Sequence, residues 1–220
     1  ANLKAISGAT NSEMLQLENT AKKLGASTKF TASEVGALQT EFAKLGFTVK
    51  DIQNATEATL ALASATGADL ATSAEVAGQT VRGFGLDADQ TAKIADIMAL
   101  SFSRSALDMR KFTDSMKFVA PIAKMANFEM SETTAVLGVL ANAGIDGSLA
   151  GTALRTIFLE LSNESSKLQK AMGGGVDSLE ELVAGFQRLK DDGVTTEEML
   201  KMVNKRAVSA FSILLDGTDT

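Results

Sequence analysis

Apolar residues recur along this chain at intervals of three and four. Val35, Leu38, Phe42 and Leu45 step by 3, 4 and 3, and Met109, Phe112, Met116 and Val119 repeat that rhythm. Leu154, Ile157, Phe158 and Leu161 share one face, as do Leu179, Leu182, Val183, Phe186 and Leu189. That spacing lines side chains along one side of an α-helix and leaves polar residues on the other. No run alternates Val, Ile or Thr with polar residues between Asn-Gly or Asp-Gly turns, so strand signals are nearly absent. The pattern predicts helices at 12–24, 32–45, 49–64, 70–84, 88–102, 108–125, 132–143, 149–170, 179–190 and 196–215.

Helix starts carry their own signature. A Ser, Thr or Asp cap followed three residues later by Glu or Gln satisfies two orphan N–H groups reciprocally. Thr10/Glu13, Thr31/Glu34, Ser178/Glu181 and Thr195/Glu198 fit, with Asp87/Gln90 as a variant. Gly25, Gly46, Gly67 and Gly85 each follow an apolar run, where glycine adopts positive φ cheaply and stops a helix. Pro121, inside FVAPIAKMA, removes one N–H and is expected to kink its helix. GGG at 173–175 reads as a flexible linker.

The chain repeats itself. FTASEV at 30–35 returns as ATSAEV at 71–76 and more loosely as FTDSM at 112–116. Aligning Val35, Val76 and Met116 gives spacings of 76 − 35 = 41 and 116 − 76 = 40. A second anchor, Phe47, Leu86 and Phe128, gives 86 − 47 = 39 and 128 − 86 = 42. Each period holds two helices and two turns. A single short pair cannot bury its own stripe, so neighbouring pairs must stack. The expected fold is all-α: stacked helical hairpins with an internal repeat of about 40 residues, either an α-superhelix or a bundle. The expected organisation is a helical lead-in at 1–24, a hairpin core at 25–162, a glycine-rich linker at 163–178 and a C-terminal hairpin at 179–220.

Composition narrows the function. The chain has 220 residues and no His, Cys, Trp or Tyr. It therefore lacks the commonest general base, the commonest nucleophilic thiol and the best transition-metal ligands. No catalytic, cofactor-binding or metal-ligating residue is assigned. The net charge of −6 comes without any basic run, which disfavours nucleic acid as a partner. The apolar stretch TTAVLGVLANAGI has 13 residues, short of the roughly 20 a membrane span needs. The start, ANLKAISGAT, is not the apolar block of a signal peptide, and the chain reads as a piece of something longer.

The most distinctive segment is AGIDGSLAGTALR at 143–155. No Lys-Ser/Thr follows its glycines and no strand precedes them, so a phosphate loop does not fit. The structural reading is that Gly144 ends one helix, and Gly147 is a further glycine of the motif. Ser148 caps the next helix, Gly151 admits a close helix neighbour, and Arg155 follows four residues later on the same face.

At this point a resemblance becomes specific. KFVAPIAKMANFEMSETTAVLGVLANAGIDGSLAGTALRTIFLEL is similar to the core region of phage tail tape measure proteins. So are TKFTASEVGALQTEFAKLGFTVKDI and ATGADLATSAEVAGQTVRGFGLDADQTAKIADIM upstream. The resemblance implies a structural component of a bacteriophage or prophage tail that governs tail length and assembly and leaves at DNA ejection. It implies the tail lumen as its place in the virion, the host cytoplasm during assembly, and tail tube subunits, assembly chaperones and tail-tip proteins as partners. A homo-oligomer is compatible with it, and membrane contact would be transient. The alternative is a membrane-active module that helps form the DNA path through the host envelope. Peptidoglycan-cutting domains accompany some members, but the carboxylate pairs Glu180/Glu181, Asp191/Asp192 and Glu197/Glu198 sit at helix starts or turns, where they serve as charge partners of the helix. One continuous helix of this length would reach about 330 Å. A glycine break about every twenty residues predicts a compact module instead.

Overall fold

The computed structural model describes residues 2–217. The outermost residues of the expected 1–24 and 179–220 segments, position 1 and positions 218–220, lie outside them. The described residues form helices joined by short turns, with no strand. In chain order the helices are α1 (Asn2–Ser7), α2 (Asn11–Ser27), α3 (Ala32–Lys44), α4 (Val49–Thr66), α5 (Leu70–Phe84), α6 (Thr91–Arg104), α7 (Met109–Met125), α8 (Met130–Asn142), α9 (Gly147–Leu161), α10 (Lys167–Met172), α11 (Leu179–Asp191), α12 (Thr196–Met202) and α13 (Val208–Asp216). A 3-10 turn, Ala88–Gln90, precedes α6.

The chain gathers into two compact units, Ala1–Leu100 and Ser101–Thr220, and the border falls within α6. In the first unit α3 is central and packs on α1, α2, α4 and α5. Its stripe residues Val35, Leu38 and Phe42 are fully buried, beside Leu17, Ile52, Ala63 and Ala77. Buried Gln39 donates its amide N–H to the Leu17 carbonyl at 3.1 Å, tying α3 to α2. In the second unit α9 packs on α7, α8, α10 and α13. Phe112, Leu154, Ile157, Phe158 and Phe211 have essentially no exposed surface. Phe128 and Phe158 stack with ring centroids 4.1 Å apart, and Phe186 meets Phe211 edge to face at 5.2 Å.

The repeat resides in the corners, which are of two alternating kinds. In the first, a hydroxyl at the helix end donates to the carbonyl four residues back and accepts the N–H two residues on. Ser7, Thr28, Thr66 and Ser105 all do this, with donor distances of 2.8 Å and accepted bonds of 3.2–3.3 Å. Three residues after each hydroxyl comes the cap of the next helix: Thr10, Thr31, Asp69 and Asp108. In the second kind, a residue at positive φ is followed by an apolar residue whose N–H reaches back to the last helical turn, and then by a cap. Gly46-Phe47-Thr48, Gly85-Leu86-Asp87, Asn127-Phe128-Glu129, Gly144-Ile145-Asp146 and Gly193-Val194-Thr195 share this arrangement, with back-bonds of 2.9–3.1 Å. The corners at 28, 46, 66, 85, 105 and 127 alternate strictly between the two kinds.

Several expectations need correction. Gly25 does not stop a helix: it lies inside α2, where an added Cβ would stand 2.5 Å from the Ala32 nitrogen. The 149–170 helix is two, because Ser162 ends α9 and Ser166 caps α10. The 196–215 helix is also two, broken where the Asn204 side chain accepts the N–H groups of Arg206 and Ala207. Asp87 makes no side-chain cap bond and opens a 3-10 turn. The helix α7 is continuous through Pro121, which is exposed, so the backbone bond it forfeits falls on the solvent side. Gly173 and Gly174 take positive φ and close α10 through N–H bonds to Lys170 and Gln169.

Candidate functional site: the α7–α9 helix pair

The glycine-rich segment forms the corner between α8 and α9 and the start of α9. Gly144 stands at φ +83 and Gly147, the first residue of α9, at φ +57. The cap is Asp146, not Ser148, which sits inside the first turn and faces solvent. Asp146 is instead held by Lys111 of α7 at 2.9 Å, so its carboxylate bridges two helices.

Gly147 and Gly151 lie against α7. The Ser115 hydroxyl is 2.7 Å from the Gly147 carbonyl and 2.9 Å from that of Lys111, donating one shared proton. A Cβ on Gly151 would collide with the Ser115 carbonyl oxygen and stand 2.7 Å from its Cα and 2.9 Å from its carbonyl carbon. Backbone meets backbone here, and only glycine permits it. Pairings advance together along both helices: Lys111 with Asp146, then Ser115 with Gly147 and Gly151, and beyond them Phe118 lines one groove with Leu149 and Ala153. The two helices therefore run in the same direction.

Outward of this seam is a shallow open groove of about 410 Å³, lined by Phe118, Ser148, Leu149, Thr152, Ala153 and Arg206. Arg155 does not share Gly151's buried face; it is exposed on the outer side of α9. Pro121 lies on the outer side of α7. The sequence reading thus located the close approach at Gly151 but missed its partner Ser115, the Lys111–Asp146 bridge and the exposed Phe118. It also missed Glu132, whose two carboxylate oxygens accept the N–H groups of Glu129 and Leu179 at 2.8 Å, joining the starts of α8 and α11. A Ser in the middle of a stripe and a Glu at a helix start carry no sequence mark of so distant a partner.

The carboxylates noted in the sequence serve helices. Glu181 accepts the Asp177 N–H at 3.1 Å and Glu198 the Thr195 N–H at 2.8 Å, and these bonds hold both below the usual glutamate range. Glu197 pairs with Lys201 at 2.6 Å, and Asp191 accepts from Gln187 at 2.9 Å. Among the described residues no group of three or more Asp or Glu converges as a metal site would require. No helix among them is long and apolar enough to cross a membrane.

Comparison with known proteins gives the family of the chain. The chain is 31% identical over 229 aligned residues to the tape measure protein of Pneumococcus phage Dp-1, covering 98% of this chain and 20% of that protein. It is 33% identical over 235 aligned residues to the probable tape measure protein of Escherichia phage P2, covering 99% of this chain and 29% of that protein. The chain thus spans less than a third of the length of these relatives. No solved structure matches it. The profile of the phage-related minor tail proteins matches residues 18–216, taking in both compact units, and the chain belongs to that family.

Proposed function

We propose that this chain is a compact helical segment of a tape measure protein, serving as a docking and assembly element while other segments span the length of the tail. The observation that carries this is the alignment of nearly the whole chain, at 31% and 33% identity, with part of a tape measure protein and part of a probable one, joined to a fold unlike a ruler. The longest helix among the described residues, α4, has 18 residues and so extends about 27 Å. In this reading the segment occupies the tail lumen in the virion and the host cytoplasm during assembly. It works with tail tube subunits, assembly chaperones and tail-tip proteins, leaves at DNA ejection and performs no catalysis.

Deleting one repeat from a phage that carries the segment separates the two roles. A ruler loses 76 − 35 = 41 residues and its tail shortens by about 60 Å. The docking reading expects assembly to fail, or tails of unchanged length. Viable tails shortened in proportion, measured by electron microscopy, overturn it.

A further inference from the structure

We infer that the groove between α7 and α9 is a docking site for an acidic amphipathic helix of a partner protein. Three of its six lining residues, Phe118, Leu149 and Ala153, are apolar, and the first two face solvent. Phe118 on one side is 40% exposed and Leu149 on the other 56%. Large apolar side chains at this exposure, side by side in a groove, are a recognition feature rather than scattered surface residues. The apolar line continues beyond the groove. Met125, seven residues after Phe118 and therefore on the same side of α7, is 58% exposed; Leu159, seven after Thr152 on α9, is also exposed. Seven residues correspond to about 10 Å, two helical turns. A shallow strip of that length between two co-directional helices suits a third helix lying along it with anchors at i, i+3 or i+4, and i+7, rather than a small molecule.

Charge selects the partner. The chain as a whole is acidic, at −6, but no Asp or Glu lines the groove. Arg206 lines the groove, and Lys205 and Arg155 are exposed nearby in sequence to its lining residues. Lys117, next to Phe118, is exposed and pairs with Asp114 at 3.2 Å. Asp146 is engaged by Lys111. Among the described residues no carboxylate lies within ion-pair distance of Arg155 or Arg206. A basic-rimmed apolar strip favours Asp and Glu flanking the apolar anchors of its occupant. The inference deepens the docking role proposed above, but it is tested on the purified chain without reference to tail length, so either can fail alone.

The probe is a fluorescent 18-residue helical peptide with Leu at positions 5, 8, 9 and 12 and Glu on the flanks; a second peptide carries Lys in place of Glu. With the full 220-residue chain, anisotropy is expected to show binding of the Glu peptide at least tenfold tighter than the Lys peptide, weakening as salt rises. Arg206→Glu and Phe118→Ser should each weaken it at least fivefold with unchanged circular dichroism. If Phe118→Ser does not fold, Leu149→Ser takes its place. Equal binding of the two peptides, no binding of the Glu peptide, or binding indifferent to these substitutions overturns the inference. So does self-association of the chain that Phe118→Ser abolishes, or preferential binding to phosphatidylglycerol vesicles over the Glu peptide, since those outcomes assign the strip to a second copy or to a lipid surface.

Discussion

At the scale of single residues, backbone geometry decides what each glycine is for. Gly151 meets the Ser115 backbone, which cannot move aside. Gly151→Ala should therefore destabilise the chain by about 2–3 kcal/mol through overpacking. Gly36, inside α3, has open space where a Cβ would go. Gly36→Ala should stabilise by about 0.5–1 kcal/mol, because it removes only unfolded-state freedom. Urea unfolding of the pair reads both, and a fall for each would refute the packing account. Asn127 is the one non-glycine at positive φ among the described residues, standing where its counterparts are Gly46 and Gly85. Asn127→Gly should be neutral or mildly stabilising, and Asn127→Ala should cost about 1 kcal/mol. Gly46 and Gly85 were legible as stops; Asn127 was not, since asparagine enters that conformation less often and marks it less clearly. Gly25 misled for the converse reason: a glycine chosen for close approach looks the same in sequence as one chosen for a turn.

At the scale of elements, helix boundaries follow from side chains that bond to the backbone. Glu13, Glu34, Glu181 and Glu198 are held below the ordinary glutamate range chiefly by backbone N–H groups at their helix starts; Asp69 is held below the usual aspartate range by the Thr72 hydroxyl and then its N–H. A carboxyl lowered by folding contributes stability that is complete above its unfolded value, near pH 4, and is lost as pH falls through the lower folded value. Thermal midpoints followed by circular dichroism should stay level from pH 7 to 5 and fall below about pH 4, less steeply in Glu34→Gln. A midpoint that rises on acidification would contradict this. Pro121 gives a further check. It interrupts the α7 ladder on an exposed face. Pro121→Ala should raise stability by about 1–3 kcal/mol in the same unfolding measurement.

The elements also show why the sequence could be read so far and no further. Three of the five predicted capping boxes, at Thr10, Thr31 and Thr195, form in full. Thr48/Asp51 forms one as well, and went unread because its acid is Asp. The breaks after Leu161 and Met202 were missed because periodicity continues across them. Ser166 and Asn204 end and restart the helices through local bonds that hydrophobic spacing does not register.

At the scale of the whole molecule, the all-helical class was plain from the stripes and the absence of strand signals. The forty-residue rhythm was also visible, and its cause is now specific: the second anchor, Phe47, Leu86 and Phe128, is the apolar residue following a positive-φ position at every other corner. The α7–α9 seam was half legible. Its glycines announced a close approach, but which helix approached, and what remained exposed beside it, depend on tertiary arrangement alone.

The central claim is that the segment acts as a folded, compact element, and a substitution that leaves chain length unchanged tests it most directly. Leu154 is fully buried in the second unit. Leu154→Asp places an unpaired charge there at a cost of about 3–5 kcal/mol while removing no residue. Tail number and length, counted by electron microscopy in a phage carrying that substitution, decide the matter. The account predicts few or no completed tails. Wild-type numbers of tails at wild-type length would show that only contour length matters, and would contradict it.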